Sequence, residues 1–156
     1  MTDEELMRRA IAAARDGIEN GQTPFGACIA RDGQVVVAAH NNVWAGTDIT
    51  AHAEIVAIRA ACRKLGSVDL SGCAIYSTAE PCPMCFSACH WAKLERIVFG
   101  ARIADAQAAG FGELTISNEQ MKALGRSGVA IAGDFLRDEC VALFALWSAR
   151  PDKRAY

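Results

Sequence analysis

The residues with the clearest chemical potential sit in two short stretches, Thr50-Ala51-His52-Ala53-Glu54 and Ala79-Glu80-Pro81-Cys82-Pro83-Met84-Cys85. Two thiols and one imidazole are soft or borderline metal donors. Three protein ligands leave the fourth position of a tetrahedral zinc open, which is the pattern of a catalytic rather than a structural centre. Zinc with an open position lowers the pKa of bound water toward about 7. A nearby carboxylate that does not ligate, Glu54, is then the candidate proton shuttle. The expected chemistry is hydrolytic attack on an amidine-like ring carbon with loss of ammonia.

The spacing makes demands on the elements that carry these groups. His52 and Glu54 are two apart and point to different sides of a helix, so they share a site only if it lies off the helix N-terminus. Cys82 and Cys85 are three apart and share a face of a first helical turn. Both helices would aim their positive ends at the metal, which favours thiolates and a carboxylate there. Three other readings stay open. Cys-x-x-Cys between a strand and a helix is also a thioredoxin-like redox layout. Cys82 and Cys85 with Cys89 and His90 would make a compact structural site, although three of these would converge from different faces of one helix. A zinc that only holds the fold is the third, and Glu54 counts against it.

The surrounding pattern predicts the scaffold. Thr2 and Glu5 read as a capping box opening a first helix that ends near Asn20-Gly21. Pro24-Phe25-Gly26 breaks it. Two short apolar runs, 27–30 and 34–39, flank Asp32-Gly33, a hairpin signal. Residues 40–49 read as a polar loop. A second helix starts at Thr50 or Ala51 and stops at Gly66. A strand over 73–77 precedes the cysteine element and its helix to about Trp91. A strand over 96–100, a loop over 105–113, a short helix over 118–124 and a strand over 129–131 follow. Asp134 is expected to cap the last helix, which Pro151 ends. The order implies one domain over 1–156, a three-layer α-β-α architecture with a mixed five-stranded sheet.

Composition narrows the class. The chain has 156 residues, enough for one domain with its own core, and a net charge of −2, which argues against nonspecific capture of nucleic acid or an anionic membrane. Seven cysteines, an odd count with one tight Cys-x-x-Cys, argue for a reducing, cytoplasmic compartment. Cys28, Cys62, Cys73 and Cys140 stand among apolar neighbours and read as buried thiols. The N-terminus is acidic without an apolar core, unlike a signal peptide, and no run suits a membrane span.

His52-Ala53-Glu54 together with Pro81-Cys82-Pro83-Met84-Cys85 resembles the cytidine deaminase-like superfamily of zinc-dependent nucleobase and nucleoside deaminases. Within it, the chain is most similar to bacterial guanine deaminases, then to tRNA adenosine deaminases. The resemblance implies one Zn²⁺ per chain on His52, Cys82 and Cys85, with Glu54 and a second carboxylate, Glu113, in catalysis. Gly112 is a departure, because the family carries an acid at that position. The resemblance also implies a purine substrate, guanine converted to xanthine and ammonia, contacted by Phe25, Asn41, Ala53, Trp91 and Tyr156. The tail 151–156 resembles a family lid that swaps to close a neighbour's site, implying a homodimer with Tyr156 over the partner's pocket. Phe135-Leu136-Arg137-Asp138-Glu139-Cys140 instead resembles the last helix of tRNA adenosine deaminases. A guanosine- or cytosine-type substrate is a further alternative.

Overall fold

The computed structural model describes residues 1–156. Five strands form one sheet in the order β2-β1-β3-β4-β5. They are β1 (Gly26–Arg31), β2 (Gln34–His40), β3 (Cys73–Ala79), β4 (Arg96–Ala101) and β5 (Ala130–Ala132). β1 runs antiparallel to both β2 and β3, whereas β3, β4 and β5 are parallel. Asp32 and Gly33, both at positive φ, turn the β1–β2 hairpin, as the Asp-Gly signal predicts.

Seven helices surround the sheet: α1 (Asp3–Glu19), α2 (Val43–Gly46), α3 (Ala53–Leu65), α4 (Pro83–Trp91), α5 (Ile103–Ala108), α6 (Asn118–Gly125) and α7 (Arg137–Ser148). Thr2 caps α1 through the expected box: its hydroxyl accepts from Glu5 N at 3.3 Å and its own N–H donates to Glu5 at 2.8 Å. Leu6, Met7, Ala10, Ile11, Ala14 and Ile18 form the buried stripe of α1. They join Tyr76, Val98, Leu143, Phe144 and Trp147 in a core on one face of the sheet. On the other face Ala53, Ala57 and Ala61 of α3 and Phe86 and Cys89 of α4 pack on Ile29, Ile75, Ile97 and Phe99. These two cores make the three layers.

Topology gathers the chemistry at one sheet edge. Ala27 stands opposite Ser77, Gly26 opposite His40, and Ala79 beside Ala101. The start of β1, the end of β2 and the ends of β3 and β4 therefore all open onto the same side. Gly26 makes this possible, because a Cβ there would sit 2.2 Å from Ala10 O and 2.7 Å from Ala14 N. Only glycine lets α1 lie that close to the strand that follows Phe25.

Three local expectations change. The segment read as a loop over 40–49 contains the short helix α2, and the one over 105–113 begins inside α5. The helix read from Thr50 or Ala51 starts at Ala53, because Asp48 takes the Thr50 N–H and hydroxyl into a turn. Asp134 does not cap the last helix. It ion-pairs with Arg102 at 2.6 Å, and the chain passes through Leu136 at φ 47° before α7 begins at Arg137.

Candidate active site

His52 and Cys82 are the N-cap residues of α3 and α4. Neither side chain caps its own helix, so both project off the helix end. Pro83 at the first position of α4 has no N–H to leave unpaired and is preset for the helix. Cys85, fully buried in the first turn, lies on the same side as Cys82. His52 Nδ1 is 3.6 Å from each sulfur, and the three donor atoms lie within 4.8 Å of one another. Zinc–sulfur and zinc–nitrogen bonds at a tetrahedral angle imply a separation of about 3.5 Å, so the donor set fits zinc. No fourth Cys, His or carboxylate joins this group. Cys89 is buried in the core under α3 and α4, and His90 bonds Ser127 at 3.0 Å, so the alternative four-residue cluster does not form.

The electrostatics suit metal capture. A hydrogen bond donated by the Cys85 thiol outweighs the cost of burial and, with His52, brings Cys82 down to about 4, a thiolate at neutral pH. Cys85 is pushed the other way by the neighbouring Cys82 and by burial. Burial works to lower the His52 value, but Cys82 and Glu54 outweigh it and raise it.

Glu54, at the second position of α3, is 6% exposed. Burial first, then the Cys82 thiolate, raises its carboxyl above the usual range. Glu113 is half-buried in the loop after α5. Burial and Cys82 raise it to about 7. Two carboxyls of elevated pKa flanking a candidate metal centre are a functional-site signature with a physical basis.

Two cavities that share four lining residues adjoin these groups. The inner chamber is lined by Phe25, His52, Glu54, Cys82, Glu113 and Tyr156, among others. It encloses about 20 Å³, room for about one water. The outer vestibule, about 300 Å³, shares His52, Cys82, Glu113 and Tyr156 and is rimmed by Ile49, Met84 and Leu114. Neither cavity is lined by Lys or Arg.

Several residues named from the sequence meet here. Phe25 packs edge-on against Phe111 at 4.8 Å. Asn41 is fully buried; its Oδ1 accepts from Val43 N at 3.0 Å and its Nδ2 donates to the Tyr156 hydroxyl at 2.6 Å. Ala53 is fully buried at the first position of α3, where its N–H has no carbonyl within the helix. Trp91 does not join them. It is 81% exposed at the far end of α4, against His90. Six residues past Cys85 is about 9 Å along the helix and about 240° around it, which carries its ring away from the donors.

In the single chain Tyr156 lies over the pocket of its own chain. Its ring stands 5.6 Å from both the His52 and Phe111 rings and 6.2 Å from Trp44. The tail is anchored by Trp44 Nε1 donating to Arg154 O at 3.0 Å and by the Arg154 guanidinium 4.2 Å over the Trp44 ring. Gly112 N donates to Tyr156 O at 3.2 Å. After α7 the chain is already near this edge, and these partners lie within its reach. Sequence reasoning missed Trp44, whose aromatic character was the only signal, and a core role explains an aromatic residue equally well. Phe111 lies in the stretch 109–113 that resembles the guanine deaminase Gly-Phe-Asp segment, but only Glu113 is singled out there as a site residue.

The comparisons agree with this geometry. Residues 1–101 match the model of the cytidine and deoxycytidylate deaminase zinc-binding region. The chain is 42% identical over 120 residues to a guanine deaminase of Bacillus subtilis, covering 76% of this chain and 77% of that one. It is 41% identical over 101 residues to a tRNA-specific adenosine deaminase of Aquifex aeolicus, covering 65% and 67%. A solved guanine deaminase structure from Nitrosomonas europaea superposes with a TM-score of 0.88 at 32% identity, covering 96% of this chain and 86% of that one. With imidazole and two thiols at zinc spacing and a buried carboxyl beside them, the chain belongs to the cytidine and deoxycytidylate deaminase zinc-binding family and is a zinc-dependent hydrolytic deaminase.

Proposed function

We infer that the protein deaminates a free purine base, guanine to xanthine and ammonia, with one zinc per chain held by His52, Cys82 and Cys85. The observation that carries the choice of substrate is the lining of the approach. Neither cavity presents a Lys or Arg, the outer rim is apolar, and the tail lies across the mouth. A polynucleotide substrate draws most of its affinity from phosphate contacts, and neither cavity lining offers a cationic side chain for them.

When bound, zinc supplies Lewis acidity that makes water nucleophilic near neutral pH. The protein's own groups do the rest. The Phe25 ring and the aromatic wall take the purine face, and the Asn41 amide offers a donor and an acceptor to its edge. The N–H of Ala53, unpaired within its helix, points a donor at the site. Glu54 takes one proton of the attacking water and gives it to the ring nitrogen beside the attacked carbon; it then carries the remaining proton of the added hydroxyl to the departing amine as the carbonyl forms. Glu113 holds the exocyclic amino group as it becomes ammonia. Water adds at the carbon bearing that amine and the carbon–nitrogen bond breaks, so guanine and water give xanthine and ammonia.

The 20 Å³ inner chamber does not hold a purine while Tyr156 is seated. Substrate entry therefore requires the tail to lift, after which it can close over the bound base. A second reading, deamination of adenosine in tRNA, is favoured by the 41% identity to the Aquifex enzyme. An ammonia-release panel of guanine, guanosine, adenine, cytosine, cytidine and an anticodon stem-loop RNA separates the two. Turnover of guanine supports the first reading. Turnover of the RNA alone overturns it.

A further inference from the structure

The segment leading into Cys82 is gripped from behind by two residues that are not among the metal donors. Glu80 is 6% exposed and ion-pairs with no Lys or Arg. Its two carboxylate oxygens instead take two backbone N–H groups: Asn118 donates at 2.8 Å and Ile103 at 3.3 Å. Its own N–H donates to Ala101 O at 2.7 Å. Glu80 touches the wall of the inner chamber, but these bonds to the ends of α5 and α6 aim its carboxylate at the scaffold.

Asn118 is fully buried at the first position of α6, whose Ser117 cap fixes that helix end. Its side-chain nitrogen donates to Pro81 O at 2.6 Å. Its side-chain oxygen is buried without a partner. A fully buried amide that satisfies only its nitrogen is held in place for that one bond. The carbonyl it grips belongs to the peptide whose nitrogen is that of Cys82. A short bond at this carbonyl fixes the peptide plane from which the Cys82 sulfur projects.

We propose that Asn118, together with Glu80, is a positioning residue for the metal centre: the pair locks the Pro81–Cys82 peptide and so sets the Cys82 sulfur at zinc distance from His52 and Cys85. Groups that orient metal ligands in this way change metal affinity or activity roughly 10–100-fold. The inference rests on a metal at these three donors but on no particular purine, so a metal-binding readout tests it whatever the substrate panel shows.

The test compares N118A and E80Q with L124A, a control at an exposed position of the same helix. Zinc affinity is read by chelator competition, the ligand field by the thiolate-to-cobalt absorption of the cobalt-substituted protein, and the fold by circular dichroism. N118A and E80Q should fold, bind zinc roughly 10–100-fold more weakly and shift the cobalt band, with L124A matching the parent in all three. Parental affinity and band in a folded N118A or E80Q overturns the proposal. So does an equal loss in L124A, which would make the effect one of general loosening. Failure of both N118A and E80Q to fold also overturns it, because the pair would then serve the fold and not the metal.

Discussion

The side-chain nitrogen of Asn41 lies 2.6 Å from the hydroxyl of Tyr156, the last residue of the chain and 115 positions away. The same amide that is proposed to read the purine edge is thus occupied by the tail until substrate arrives. Removing residues 152–156 should therefore lower kcat/KM at least about tenfold. The melting temperature should fall by less than about 3 °C, the scale of about 1 kcal/mol in a chain of this size. Steady-state kinetics beside a thermal melt checks this, and an unimpaired truncated enzyme would remove the lid from the account.

Glu54 is asked to move protons, not to hold metal. E54Q keeps the shape and the neighbours of Glu54 while removing its basicity. Zinc content and fold should be retained, and kcat should drop by roughly 10²–10⁴, the usual contribution of a positioned general base. Full turnover by E54Q would refute the shuttle.

Glu113 gives the metal-stripped protein a pH dependence of known sign. Burial and Cys82 raise its carboxyl from 4.5 to about 7, so the folded state binds its proton more tightly than the unfolded chain does. Its stabilising contribution is fully present below about pH 4.5 and is lost as pH rises through about 7. Melting curves of the stripped protein should show this decline, and E113Q should flatten it. Identical pH profiles for parent and E113Q would contradict the assignment. Nearby zinc charge should draw the Glu113 value down, so the effect should shrink on reloading.

Gly26 predicts a stability effect that reaches the site. The added methyl of G26A would meet Ala10 O at 2.2 Å and Ala14 N at 2.7 Å, both backbone atoms that cannot yield alone. Overpacking of this kind typically costs about 1–3 kcal/mol, which corresponds to a drop of roughly 2–12 °C. Because Phe25 precedes this strand, KM for guanine should rise as well. A parental melting temperature would show that α1 shifts freely, against the packing described.

Much of the fold was legible because local and global signals agreed. The Thr2–Glu5 box, the Asp32-Gly33 turn and the apolar stripe of α1 each dictate one local geometry, and the mixed five-stranded sheet follows from the order of the elements, whereas the strand order within it comes from the structure. The donor set was legible for a related reason: His and two Cys at that spacing have few other uses. Asp134 misled because an acid before an apolar run is also a good ion-pair partner, and Arg102 and Arg137 lie within reach. Trp91 misled because position along a helix, not residue type, decides whether a ring meets a site at its other end. Whether Tyr156 closes its own pocket or a neighbour's is not legible in the sequence, since a tail after α7 reaches either with the same residues. Glu80 and Asn118 were silent because their roles depend on contacts 38 and 37 positions apart.

The central claim is that guanine hydrolysis runs on a metal held by His52, Cys82 and Cys85. Its most direct test is ammonia release from guanine by stripped protein titrated with zinc. Activity should be absent at the start, rise with added zinc and level off at one equivalent per chain, with C82S failing to recover at that stoichiometry. Guanine turnover by the fully stripped protein, or none at any zinc level while the anticodon stem-loop is deaminated, would contradict it.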